Sequence, residues 1–324
     1  MSFPFKLPER YVPTNKRFDG GQGFVYVCHD AYLDRDVAIK VMRHISDADM
    51  LRRELASLRE IRSQNIAEIY DLVIAKRSGI VGLVQEFVPG PTLSEYIAVG
   101  IAEADQLKIL YQIACGIADV HAYQKLHRDV KPDNMKFDAE NVLKILDFGL
   151  VTDARTNAET VNARGTRHFL APELFGAPPF PLTPAVDVYA FGVTAWLMTN
   201  NGRLSAELSQ NPPLLTGPAP SFSRAAVQLP PVVTRVLDRT LSRNPTDRPS
   251  MKIIREVLKR HILFGKHRAT LSHRGQKYVL AEPGDVFAIN DPGVAFKVQY
   301  DGLRFIVPRS SRGCVHQQCS RVVR

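Results

Sequence analysis

Cysteine is scarce in this chain. Cys28, Cys115, Cys314 and Cys319 are all there are among 324 residues, too few and too scattered for a disulfide framework, which fits a reducing compartment. The pair in "CVHQQC" has no second Cys or His pair at a suitable spacing, so a structural zinc site is not expected. Long apolar runs are missing too. The longest, "VDVYAFGVTAWLM" from 186 to 198, falls well short of the ~20 residues a membrane helix needs, and it contains Asp187. The opening "MSFPFKLPER" is short, proline-broken and partly charged, unlike a signal peptide. No repeat of fixed period runs along the chain, which excludes solenoids. These absences lead to the expectation of a soluble, cytoplasmic protein with no membrane span.

What is present is enough apolar residue, 45%, to build the core of one large domain or two. The net charge of +9 is unevenly placed: from Leu263 onward there are ten Lys or Arg against four Asp or Glu, a balance of +6. A basic C-terminal part is either an ordinary solvated surface or a face suited to an acidic partner.

Residues 11–87 read as strand-rich, with "FVYVC", "DVAIKVM", "IAEIYDLVI" and "GLVQEF" as strands and "DADMLRRELASLREI" as a helix with apolar residues at 51, 55, 58 and 61. From 92 to 262 the period becomes helical. "DQLKILYQIACGIADVHAY" reads as a long amphipathic helix, and "PPVVTRVLDRTLS" and "PSMKIIREVLKRHI" as shorter ones opened by proline. The two parts meet at "EFVPGPTL", a connector suited to a hinge. Residues 263–308 form a separate β-rich module of short strands, "KYVLA", "DVFAIN", "VAFKVQY" and "LRFIV". Between the last two, "DG" predicts a type I′ hairpin turn, with Phe296, Val298 and Tyr300 on one face, as are Leu303, Phe305 and Val307. Residues 309–324 are expected to be a disordered tail.

The stretch "RFDGGQGFVYV", residues 17–27, places Gly20, Gly21 and Gly23 between two strands. Glycines there suit a loop whose backbone N–H groups approach phosphate, and equally a tight hairpin. The decisive stretch is "HRDVKPDNM", 127–135. Moving a phosphoryl group to a hydroxyl requires a carboxylate that meets the hydroxyl proton, a cation near the transferring group and oxygen ligands for magnesium. Asp129, Lys131 and Asn134 offer these in order, and "KILDFGL" places Asp147 at the end of an apolar strand, where a carboxylate can reach a metal.

From about residue 11 to 262 the chain resembles the eukaryotic-type protein Ser/Thr kinase family, most closely its bacterial members. The resemblance rests on "VAIK", "HRDVKPDN", "DFG", "APE" (171–173), "DVYAFGV" and "NPTDRP". It implies an α+β, bilobal protein-kinase fold, with a β-rich lobe at 11–87 and a helical lobe at 92–262, and a kinase that uses ATP with Mg²⁺ or Mn²⁺ on protein substrates. It also implies that Lys40 holds the α- and β-phosphates and pairs with Glu54, that Asp129 and Lys131 act at the reacting centre, and that Asn134 and Asp147 bind metal. Nucleotide contacts would come from Gly20, Gly21, Gly23, Val25, Ala38, Lys40, Glu86 and Val88. Asp187 would tether the catalytic loop, and Arg248 would pair with Glu173. Thr160 matches the activation-segment position phosphorylated in bacterial relatives, with Arg128 as acceptor of that phosphate, and Thr166 would contact Asp129 and Lys131. His121, at the end of a long helix, reads as structural, its charge suited to the helix dipole.

Three positions depart from the family. Phe18 stands where the first loop glycine usually lies, Gln85 occupies the gatekeeper position, and Lys136 replaces the apolar floor of the adenine pocket, where its stem could serve while its charge reaches water. The alternative to an active kinase is a pseudokinase scaffold binding a partner. Such scaffolds usually lose the strand Lys, the loop Asp or the metal Asp, and all three survive here. Small-molecule phosphotransferases of related fold usually lack an "APE"-ended segment; here "GTRHFLAPE" suits a peptide platform. The basic β module is expected to recruit an acidic or protein partner. No legible motif points to nucleic acid.

Overall fold

The computed structural model describes residues 3, 5–20, 23–42, 60–74, 81–147, 152–153, 159–160, 167–175, 180–291 and 294–307. Within these, the chain divides into two compact units, Met1–Leu258 and Lys259–Arg324. Of the helix predicted over "DADMLRRELASLREI", all but Glu60 and Ile61, which are not helical, lies outside the described residues, and with it Glu54, as do Cys314, Cys319 and the tail.

The first unit opens on an antiparallel sheet: β1 (Tyr11–Gly20), β2 (Gly23–Asp30), β3 (Arg35–Met42), β4 (Ile69–Ile74) and β5 (Val81–Glu86), in the order β1-β2-β3-β5-β4. The strand predicted over "IAEIYDLVI" is shorter than expected. Its leading Ile66 makes only an isolated bridge to Ile145. Period-two pleating divides β3. Val37, Ile39 and Val41 enter a cluster with Tyr11, Tyr26, Cys28, Val73 and Val84, onto which Phe3, Phe5 and Leu7 pack. Ala38 and Lys40, between them, face the other way, toward the cleft described below. The same alternation that builds the core therefore presents the lysine.

Helices follow. The first, α1 (Leu93–Val99), is started by a capping box: the Thr92 hydroxyl accepts from Glu95 N at 3.1 Å, and Glu95 Oε2 accepts from Thr92 N at 2.7 Å. The long α2 (Glu103–Ala122) buries Ile109, Leu110, Ile113, Ile117 and Val120 at helical spacing. Short strands β6 (Lys125–Leu126), β7 (Met135–Phe137), β8 (Leu143–Ile145), β9 (Thr152–Asp153), β10 (Glu159–Thr160) and β11 (Phe180–Pro181) pair as β6-β9, β7-β8 and β10-β11. α3 (Pro184–Thr199) is apolar almost all round and is the buried centre of this part. It crosses α4 (Pro231–Thr240) at Gly192, where a Cβ would lie 2.3 Å from Thr240 Oγ1. α5 (Met251–Leu263) completes the unit with Met251, Ile254 and Leu258 buried, and the division between the units falls inside it. Among the described residues, no helix is long and apolar enough to cross a membrane.

The second unit is β-rich: the hairpin β12 (Ala269–His273) and β13 (Gln276–Leu280), and the sheet β14 (Val286–Asp291), β15 (Val294–Tyr300) and β16 (Phe305–Ile306). Leu280, Phe287, Val298 and Tyr300 form its core. Two turns differ from expectation. The "DG" connection is not a two-residue type I′ turn, because Tyr300 pairs with Phe305 and the loop spans four residues. Gly302 takes φ 93°, while Asp301 has no positive φ and instead accepts from Leu303 N and Arg304 N at 2.8 and 2.7 Å. A carboxylate that caps its own turn stabilises the longer loop. The two-residue connection with both central φ positive lies at Arg274–Gly275, φ 47° and 78°, closing the β12–β13 hairpin. The strand β12 was not foreseen.

Candidate active site

A cavity of about 440 Å³ lies beneath the five-stranded sheet. Val25 on β2 and Ala38 on β3 line it from the sheet, and Gln85, Glu86, Phe87 and Val88 line it from the end of β5 and the connector. Lys40, Asp129, Lys131, Asn134 and Asp147 line its other end. Five polar residues from three separate parts of the chain thus share one cleft. Gly20 and Gly23 are a paired position at the β1–β2 turn, with Gly21 outside the described residues.

The loop between β6 and β7 is set from behind by Asp187. This carboxylate is fully buried on α3 and accepts from His127 N at 2.8 Å, Arg128 N at 2.8 Å and His121 Nε2 at 2.9 Å. Burial opposes its ionisation, yet the bond from His121 and the nearby imidazoles and backbone donors hold its pKa below the ordinary value. Arg128 needs that support, because it sits at φ 67°, in the region non-glycine residues reach at a cost of roughly 1–3 kcal/mol. His121 is therefore more than a dipole partner: its ring is part of the loop's anchor.

His127, fully buried, joins this loop to the strand leading to Asp147. Its Nδ1 accepts from Asp129 N at 3.3 Å, which leaves Nε2 to donate to the Leu146 carbonyl at 3.0 Å. Leu146 N in turn donates to the Asn134 carbonyl at 2.8 Å. Asp129 is 5% exposed. Its Oδ2 meets Lys131 Nζ at 2.9 Å and accepts from Asn134 Nδ2 at 2.8 Å, and the same amide donates to the Asp129 carbonyl. Lys40 Nζ hydrogen-bonds Asp147 Oδ1, a contact the sequence did not suggest. Asp147 itself is at φ 59°.

Glu86 is held at the connector by Lys144 Nζ, 3.0 Å from Oε1, and by Glu68 N, 3.1 Å from Oε2. The Lys136 stem lines the cleft, as expected; its ammonium lies over the Phe18 ring, 5.7 Å from the centroid, and burial lowers its pKa. Thr92, Asp133, Phe87 and Leu146 also line the cleft and were not singled out beforehand. For Leu146 the signal was its place immediately before Asp147; for Thr92 it was masked by its helix-capping role. Arg248 Nη1 and Nη2 lie 2.7 and 2.8 Å from the two Glu173 oxygens. Thr160 pairs with Phe180 through the backbone, and Thr166 lies outside the described residues.

The protein kinase domain matches residues 18–261. Serine/threonine-protein kinase PrkC of Bacillus subtilis is 33% identical over 255 residues, covering 75% of this chain and 39% of its own length. A probable serine/threonine-protein kinase of Clostridium acetobutylicum is 30% identical over 201 residues, 59% of this chain and 30% of its own. Serine/threonine-protein kinase pkn3 of Myxococcus xanthus is 27% identical over 259 residues, 72% and 46%. The chain spans less than half the length of these relatives. A domain match across three quarters of the chain, with bacterial kinases among its relatives, means that the chain belongs to the eukaryotic-type protein serine/threonine kinase family.

Proposed function

We propose that this protein transfers the γ-phosphoryl group of ATP, with Mg²⁺ or Mn²⁺, to Ser or Thr hydroxyls of protein substrates. The observation that carries the reading is the convergence of Lys40, Asp129, Lys131, Asn134 and Asp147 on one cleft. Asp129 accepts the hydroxyl hydrogen and orients the oxygen for attack, held in place by Asn134 and by its own N–H on His127. Lys131, already beside Asp129, is placed to offset charge on the transferring group. Lys40 grips the α- and β-phosphates, and Glu54 is proposed as its further partner. Val25 and Ala38 cover the nucleobase, Gly20, Gly21 and Gly23 bring backbone N–H groups to the phosphates, and Glu86 and Val88 offer backbone groups along the base edge.

The donor set fits a hard divalent cation: Asp147 offers carboxylate oxygens, and Asn134, whose amide nitrogen is committed to Asp129, offers its amide oxygen. When bound, that ion neutralises phosphate charge and holds the phosphates in line.

The same reading includes autophosphorylation of the activation segment at Thr160, with Arg128 as acceptor of the phosphate and Thr166 near Asp129. The β-rich second unit is proposed to recruit an acidic or protein partner, since every catalytic group precedes it. The test is an incubation with Mg-ATP and a Ser/Thr peptide, followed by phosphosite mass spectrometry. Label on Ser or Thr, including Thr160, is expected, and an unmodified segment in fully active enzyme overturns the activation proposal. A protein ending near Gly265 is expected to retain activity on a generic peptide. Loss of that activity with the fold intact would make the second unit integral to catalysis.

A further inference from the structure

The two departures that flank the cleft, Phe18 and Lys136, meet each other. Phe18 is on β1, in the sheet that roofs the cavity, and Lys136 is on β7, in the hairpin that floors it. Phe18 is 50% exposed and belongs to no core cluster, so packing of the sheet does not account for it. The Lys136 ammonium lies over its ring, 5.7 Å from the centroid. Glu95, the acid that faces Lys136, is already bonded through Oε2 to Thr92 N and Oγ1. A half-buried ammonium that has lost water gains from an aromatic face. The attraction here joins the two walls of one cleft rather than two neighbours on a surface.

We propose that Phe18 and Lys136 act as a pair of positioning residues, a clasp across the mouth of the cleft that slows the escape of bound nucleotide. A glycine at 18 or an aliphatic residue at 136 would leave roof and floor unconnected at this point. The clasp rests on the nucleotide reading of the cleft given above, and adds to it that residues 18 and 136 work as a unit.

The test is stopped-flow dissociation of Mg²⁺-bound methylanthraniloyl-ADP from the full chain. Phe18→Ala and Lys136→Leu are each expected to raise the dissociation rate about threefold to tenfold, the range a partly desolvated cation–aromatic contact spans. The double variant is expected to be no faster than the faster single one, because either change alone opens the clasp. Phe18→Tyr and Lys136→Arg, which keep the ring and the cation, are expected to stay within about twofold of the parent. Should Lys136→Leu fail to fold, Lys136→Gln makes the same comparison. Single variants that release nucleotide at the parental rate, effects that multiply in the double variant, or conservative variants as fast as the alanine and leucine ones overturn the clasp while leaving the nucleotide site intact. A parent protein that binds no nucleotide overturns both.

Discussion

Glu173 and Arg248 form a two-point ion pair, with the guanidinium nitrogens 2.7 and 2.8 Å from the two carboxylate oxygens. The guanidinium is fully enclosed, and it also donates to the carbonyls of Ala185 and Ser242. One side chain thus ties the end of the 167–175 segment to the start of α3 and to the loop before α5. Removing one partner of such a pair strands a buried charge, which costs about 3–5 kcal/mol. Arg248→Ala is expected to lower stability by that amount in urea unfolding, and a loss under 1 kcal/mol would show that the pair is not needed.

Asp187 makes a prediction about acid. Its pKa is held below the ordinary carboxylate value against the opposing effect of burial. A depressed folded pKa means stability that is present above the unfolded value, about 3.9, and is lost as pH falls through and below it. Asp187→Asn is expected to cost roughly 3 kcal/mol at pH 7. Its deficit relative to the parent should shrink steadily as pH drops from about 5 to 3. Denaturation curves at several pH values check this, and a deficit independent of pH would contradict it.

Gly192 permits close approach of α3 and α4. A Cβ there would lie 2.3 Å from Thr240 Oγ1 and 2.9 Å from Leu241 Cδ2. Alanine improves helix propensity by about 1 kcal/mol, but overpacking a tight contact costs about 1–3 kcal/mol. Gly192→Ala is therefore expected to be net destabilising. Adding Thr240→Ala should recover part of the loss, because the hydroxyl is the nearest obstacle. Thermal unfolding of the single and double variants decides it, and a stabilised single variant would refute the packing argument.

Much of the fold was legible because local pattern and burial agree. "DVAIKVM" predicts the strand β3, and the helical spacing in "DQLKILYQIACGIADVHAY" matches α2. The order of Asp129, Lys131, Asn134 and Asp147 predicts a shared cleft. What sequence could not supply were relationships among residues far apart in the chain. That His121 reaches Asp187, that His127 bridges to Leu146, and that Lys136 meets Phe18 all depend on packing. The misplaced type I′ turn has a local cause. "DG" and "RG" both offer a glycine, and the Asp301 side chain favours the wider loop.

The role given to Asp129 is the centre of the functional account, and one substitution isolates it. Asp129→Asn keeps the size of the side chain but removes the negative charge and the proton acceptor. It leaves Lys40, Asn134 and Asp147 in place for the nucleotide. With Mg-ATP and a Ser/Thr peptide, phosphosite mass spectrometry of the parent protein is expected to show label on hydroxyl residues. The variant is expected to bind Mg-nucleotide within a few-fold of the parent and to lose at least about 100-fold in phosphoryl transfer. An Asp129→Asn protein that turns over at the parental rate would contradict the account at its core.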